Sequence, residues 1–337
     1  MQTGVAEHGT ELLPELSKYY QPDVIVSQDT ITDPWISSNC TIRTAEWFSR
    51  HGGDYSRILY HFGNSSFHDF MIPLMHRFPG TVVLHDFSLG DLLFFLDSRR
   101  SPPGGWSEAL YLSHGYRALR DKYRCRPAEV VAKYPGNLKI LNTAPAVVVH
   151  SEYARNLALE WYGRATMAKF HHIPLIQQIV RKEDRELVRL QLGLAPDDFL
   201  VCCFGLLGAT KLNLQILDAW LDSPLSRDPS CKLVYVGEAL GHYGGRVLRE
   251  IIRSGHENQV RVTGWTDRKT FCSYLSAADL AIQLRHQSRG ESSGAVLNCM
   301  NFGLATIVND HGSMSALPDD SVCRLQNDFS HSSLIEA

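Results

Sequence analysis

The sequence predicts an α/β fold built as two doubly wound domains facing each other across a cleft. Three observations lead there. Short β-rich runs alternate with helical patterns along the whole chain. The runs of the first half are continuously apolar, as strands are when both sheet faces are covered. The alternation restarts near residue 197, after a charged stretch, and 337 residues suit two domains.

In the first half, DVIVSQ (23–28), RILYHF (57–62), TVVLHD (81–86) and AVVVHS (146–151) read as strands. HDFMIPLMHRF (68–78) and EYARNLALEWYG (152–163) read as helices between or after them, the second stopped by its glycine. Ahead of these, TGVAEHGTELLPELSKYY (3–20) reads as a glycine loop entering a helix with no strand before it. RKEDRELVRLQLGLAPDD (181–198) reads as an exposed linker or linker helix. FLVCCFG (199–205), KLVYVG (232–237), QVRVTG (259–264), LAIQLR (280–285) and ATIVND (305–310) then supply five more strands. Three of them end in glycine, at the edge where open α/β sheets bind ligands. The expected division is residues 1–178, a linker over 179–196, and residues 197–337. The last residues read as the start of a further helix, so the chain is expected to be shortened at both ends.

Composition narrows the function. Hydrophobic residues make up 44% of the chain and charged residues 20%, which supports a folded core and excludes wholesale disorder. A formal charge of −3 is too near neutral to drive nucleic-acid binding by bulk charge. The eight cysteines form no Cys-x-x-Cys pair, which argues against a cysteine zinc site and for a reduced cytoplasmic setting. No apolar run nears the roughly 20 residues of a membrane span.

Several stretches carry the residue types of a binding site. In SRGESSGAVLNCMNFG (288–303), Ser292 or Ser293 is placed to cap a helix whose buried face is Ala295, Val296, Cys299 and Met300. A helix start offers unpaired N–H groups and partial positive charge, suited to a diphosphate, and Glu291 stands ahead of it to hold sugar hydroxyls. Asn298 lies a turn further in. An ordinary capped helix would show the same local pattern. In FGLLGATK (204–211), Gly205 ends a strand and Lys211 precedes the next helix, where a lysine can meet phosphate oxygens; the Walker ending is absent. A solvated surface lysine is the plainer reading of that stretch alone. HFGNSSFHD (61–69), with Asn64, and LHDFSLGD (84–91) each follow a strand, and His85-Asp86 is a candidate polar lining. Loop capping would account for them equally. Gly4 lies in the leading glycine loop, where backbone can approach a ligand. His150-Ser151 repeats the His-polar pattern after the next strand, whereas His171-His172 reads as structural.

Taken in order, TGVAEHGTELLPEL, HFGNSSFHDF, LHDFSLGD, VVVHSEYA, FGLLGATKLNLQILDAW and SRGESSGAVLNCMNFGLATIVNDHGSMSALPDD resemble the successive motifs of the retaining GT-B glycosyltransferases. The likeness is to glycosyltransferase family 4, also called glycosyl transferases group 1, and within it to bacterial mannosyltransferases of polysaccharide and O-antigen synthesis. It covers nearly the whole chain. It implies a GT-B fold of two Rossmann-like domains: an acceptor-side domain first, a nucleotide-sugar domain second. It implies transfer of a sugar, with mannose from GDP-mannose favoured, to a growing glycan or lipid-linked saccharide with retention of configuration. Lys211, Glu291 and His85 would be catalytic. Gly205, Gly237, Arg289, Ser292, Ser293, Gly294 and Asn298 would bind the donor, and Gly4, Asn64 and Asp86 would lie on the acceptor side. No metal and no cofactor beyond the donor is implied, no nucleic-acid partner, and at most peripheral membrane contact at the inner membrane.

Two residues depart from that pattern. Leu206 stands where the family has arginine after the strand glycine, leaving Lys211 alone or assisted by Arg285 or Arg289. Asn298 stands where the second acid of a glutamate pair is usual, and it can bond a ribose but carries no charge. A catalytically impaired nucleotide- or glycan-binding domain is therefore the alternative expectation, and a nucleotide-sugar epimerase of the same fold is another.

Overall fold

A computed structural model of the chain describes residues 4–99, 104–178 and 183–337. These residues form two compact units. One runs to Ile176 and includes Arg289–Ser292; the other comprises Gln177–Ser288 and Ser293–Ala337.

The first unit holds β1 (Asp23–Val26), β2 (Thr41–Thr44), β3 (Leu59–Phe62), β4 (Thr81–Leu84), β5 (Val147–Val149) and β6 (Phe170–His172). Strands β3 to β6 pair in sequence order as a parallel sheet, while β1 and β2 form a separate parallel pair. Phe62, Val82, Leu84, Val147 and Val149 are fully or almost fully buried and join one core with Phe87, Leu92 and Leu141. The helix expected over 152–163 spans Glu152–Tyr162. Ser151 caps it, its hydroxyl accepting from the Ala154 amide at 3.2 Å, and Gly163 ends it with a positive φ of 75°. The expected 68–78 helix spans Met71–Arg77, with Pro73 inside its first turn, where a missing N–H breaks no bond.

The second unit holds β7 (Phe199–Phe204), β8 (Cys231–Val236), β9 (Val260–Val262), β10 (Leu280–Gln283), β11 (Thr306–Asn309) and β12 (Cys323–Leu325). They pair in the order β12-β11-β10-β7-β8-β9, all parallel. That is the doubly wound order, with its reversal between β7 and β10. Strand β7 shows why the run is apolar throughout. Val201 and Cys203 pack into the core on one sheet face, and Leu200, Cys202 and Phe204 into the core on the other.

Three expectations change. The leading glycine loop is helix: Gly4–Leu16 is helical, with Gly4 exposed in its first turn. The stretch expected as an exposed linker or linker helix carries a helix, Arg185–Gln191, capped by Asp184, and that helix is packed into the second unit and not exposed throughout. There Val188 and Arg189 are buried, and Arg189 donates to the Ala277 carbonyl at 2.8 Å. Residues 179–182 of that linker lie outside the described residues. Strands β2, β6 and β12 are additions; they are three or four residues long and partly polar, so they present no apolar run. Among the described residues, no helix is long and apolar enough to cross a membrane.

Candidate active site

In the second unit the ends of β7 and β8 approach closely. A Cβ on Gly237 would fall on the Gly205 carbonyl, far inside van der Waals contact, so only glycine fits. Gly205 has φ of +94°, and a Cβ there would lie 2.6 Å from the Lys211 Nζ. Lys211 thus reaches back over the glycine that ends β7. Its turn, Ala209–Lys211, leads into helix Asn213–Asp222. The buried Asn213 anchors that turn: its Oδ1 accepts from the Gly208 amide at 3.0 Å, and its carbonyl accepts from Tyr235 Oη at 2.9 Å.

Across the sheet reversal, the His286 amide donates to the Thr210 carbonyl at 2.8 Å, joining the loop after β10 to the lysine turn. Arg285 lies in that loop. Its amide donates to Asn309 Oδ1 at 2.8 Å, and Asn309 Nδ2 returns a bond to the Arg285 carbonyl at 2.7 Å. Asn309 ends β11 and is almost fully buried. Arg285 Nη2 also donates to Ser293 Oγ at 3.4 Å. Ser293, not Ser292, caps helix Gly294–Asn301, accepting from the Val296 amide at 3.4 Å. Val296 and Cys299 form its buried side, while Ala295, Met300 and Asn298 are partly exposed. Leu206 is half-exposed. A cavity of about 470 Å³ opens beyond β9, lined by Arg261, Thr263, Trp265, Asp267 and Tyr274 among others. Thr263 links it to the glycine ends, its Oγ1 accepting from the Gly237 amide at 3.1 Å.

The first unit gathers a second cluster at the carboxyl ends of β3, β4 and β5. Phe62, Leu84 and Val149 are in register, so His85 and His150 occupy equivalent places, and His61 lies two residues back on the same sheet face. His61 Nδ1 lies 3.0 Å from His85 Nε2. His8, on helix Gly4–Leu16, closes the group, its ring centroid 5.0 Å from that of His85 and 5.2 Å from that of His150. Asp86 accepts from the Asn64 amide at 2.8 Å, and Asn64 Nδ2 donates to Asp91 at 2.8 Å. Arg289 pairs with Asp91 at 2.6 Å, its carbonyl accepts from Ser88, and its amide donates to Glu291 Oε2 at 2.5 Å. Gly290 has φ of +83°, and a Cβ there would strike Phe87. Ser292 Oγ donates to the His150 carbonyl at 3.1 Å. Burial pushes the Asp86 carboxyl up to about 6; the Glu291 charge adds to the rise and the Asn64 bond opposes it.

Burial lowers His8 to about 4 and His61 to about 3, with neighbouring imidazoles adding repulsion, and it lowers His85 and His150 as well. From pH 6.5 down to about 4 the unfolded chain binds protons that the folded chain refuses, so stability falls with pH across that window. At about 1.4 kcal/mol per pKa unit, His8 alone is expected to remove on the order of 3 kcal/mol by pH 4. Urea denaturation from pH 7 to pH 4 checks this: His8→Gln should flatten the profile, and an unchanged slope would refute the assignment.

The expected site residues therefore fall into two groups. Asn64, His85, Asp86, Arg289, Glu291 and Ser292 belong to the first unit, as does Gly4 on its helix. Gly205, Lys211, Gly237, Ser293, Gly294 and Asn298 belong to the second. The sequence reading missed His8, His61, Asp91 and Asn309. Strand register is the signal that would have found His61.

No protein-family model matches the chain, and no curated protein matches it in sequence. Solved structures do match in fold. HepE of Anabaena, solved with UDP-glucose, is 15% identical with a TM-score of 0.68, covering 100% of this chain and 86% of its own. WaaG, a glycosyltransferase involved in lipopolysaccharide biosynthesis, is 14% identical with a TM-score of 0.67, over 100% of this chain and 86% of its own. Sucrose-phosphate synthase from Thermosynechococcus elongatus is 15% identical with a TM-score of 0.63, over 96% and 80%. The likeness is one of fold: this chain has the GT-B fold, a mixed α/β architecture of two Rossmann-like domains.

Proposed function

We propose that the chain is a retaining glycosyltransferase that takes its sugar from a nucleoside-diphosphate donor. The observation that carries this is Lys211, reaching over Gly205 at the reversal of a doubly wound sheet, with the Ser293-capped helix start and Arg285 tied to the same loops. A fixed cation and a helix N-terminus suit the charge that builds on a leaving diphosphate. In this reading Lys211 and Arg285 stabilise the leaving group, and Ser293 and Gly294 bind phosphate. Glu291 holds sugar hydroxyls, His85 lies near the reacting carbon, and no metal takes part in the transfer. Gly237 permits close approach of the backbone, and Asn298 bonds the ribose. Arg289 and Ser292 hold the Glu291 loop, while Asn64 and Asp86 serve the acceptor side. The exposed Trp265 in the β9 cavity offers a stacking face for the base.

The sequence resemblance favours GDP-mannose as donor and a bacterial polysaccharide or O-antigen glycan as acceptor. The UDP-glucose bound by HepE makes that the competing donor. Work at a lipid-linked acceptor would need only peripheral membrane contact from the cytoplasmic side. Incubating the protein with each nucleotide sugar, with and without saccharide acceptors, tests the proposal. Transfer, or slow donor hydrolysis without acceptor, supports it. A product altered in the donor alone would indicate an epimerase. Leu206 favours a second reading, a nucleotide-binding domain without turnover, which predicts binding and neither transfer nor hydrolysis.

A further inference from the structure

We propose that His8, His85 and His150 form a binding site for a divalent transition-metal ion of the zinc class. One ring nitrogen from each lies within 4.8 Å of the others. The three come from different elements: His8 from helix Gly4–Leu16, His85 from the end of β4, and His150 from the end of β5.

Two observations make this more than a crowd of rings. First, His150 Nδ1 lies 2.9 Å from the Ile173 carbonyl, and a carbonyl can only accept, so the proton sits on Nδ1. That leaves the Nε2 lone pair aimed inward. It is buried and has no hydrogen-bond partner. A backbone carbonyl fixing the far nitrogen is how a metal-binding histidine is commonly oriented. Second, His8 is 6% exposed and its Nδ1 is likewise buried without a partner. Buried polar atoms are rarely left so, and two of them on rings whose centroids lie 5.2 Å apart call for a shared electrophile. His61, 3.0 Å from His85, holds the third ring in place.

The donor set selects the ion. Three imidazoles without thiolate or carboxylate suit zinc, copper, nickel or cobalt, and do not suit magnesium or calcium. At zinc–nitrogen distances of about 2.0–2.1 Å, tetrahedral ligand atoms stand about 3.4 Å apart, so no pair of ring nitrogens needs to draw in by more than about 1.4 Å. Three protein ligands leave a fourth position open. The cysteine spacing that argues against a zinc site has no bearing here, because these ligands are assembled by strand register and not by a local motif. Where His85 serves the transfer proposed above, an ion and the sugar would draw on the same ring, but the site stands independently of that reading.

Cobalt and zinc titration of the full, chelator-treated chain is the test. The expected result is one cobalt per chain with the intense visible absorption of a tetrahedral site, displaced by one equivalent of zinc. His8→Gln and His150→Gln should each weaken zinc binding at least about a hundredfold in competition with a chromophoric chelator. Their circular dichroism should stay native, and His172→Gln on the edge strand should leave binding unchanged. Absence of a stoichiometric cobalt spectrum in the unaltered protein would overturn the site, whatever the variants do. So would binding that survives both substitutions in folded protein.

Discussion

Lys211→Ala is expected to lower sugar transfer by a factor of about 10²–10³, the usual effect of removing one preplaced group that stabilises transition-state charge. Binding of the nucleoside diphosphate should weaken by roughly ten- to a hundredfold, since a charge-assisted bond contributes about 1.5–3 kcal/mol. The fold should be indifferent. Lys211 is only partly buried, and Asn213 anchors its turn. Steady-state kinetics on variant and parent, with thermal melting beside them, separates the two effects. Lys211→Arg keeps the charge but changes its shape, and should recover part of the loss. Equal rates for Lys211→Ala and the parent would remove the lysine from the mechanism.

Gly237→Ala is expected to destabilise the second unit by about 3 kcal/mol, toward the upper end of what overpacking a tight site costs. The added methyl would land on the Gly205 carbonyl, which is backbone and cannot swing away. Strands β7 and β8 would have to part at the site. The Gly205 amide bond to Val236, 2.9 Å, and the Gly237 amide bond to Thr263, 3.1 Å, would stretch with them. Nucleotide binding should fall along with stability. Urea denaturation measures the first and calorimetry the second. Gly205→Ala offers a comparison, because there the obstacle is a positive φ and the flexible end of Lys211, a milder conflict of about 1–2 kcal/mol. A Gly237→Ala midpoint equal to that of the parent would refute the close approach.

The sequence made most of the sheet legible. Strands β3 to β5 and β7 to β11 are mainly apolar because most of their side chains are covered, with the exposed Arg261 of edge strand β9 the plain exception, and that pattern survives without knowledge of the fold. TIRT in β2, FHH in β6 and CRL in β12 lie at strand pairs or edges, where few side chains need burial, so nothing apolar betrays them. Only the first turns of the Gly4–Leu16 helix were hidden, by two early glycines that suggest a loop. On the candidate site, a strand ending at Gly205 with Lys211 beyond it was readable as local chemistry. Ser293 could be narrowed only to one of two serines. The histidine cluster was not readable at all, since His8, His61, His85 and His150 meet through strand pairing and a helix packed across it. The same holds for Asn309, whose two bonds to the Arg285 backbone join the ends of β10 and β11.

Both effects expected of Lys211→Ala rest on a nucleotide site on the second unit built around Lys211. Isothermal titration of the full chain with GDP, UDP and ADP, repeated on Lys211→Ala, tests it most directly. One diphosphate is expected to bind with a stoichiometry of one, in preference to the others, and Lys211→Ala to weaken it about ten- to a hundredfold. Binding of none of the three, or binding untouched by the loss of Lys211, would contradict it.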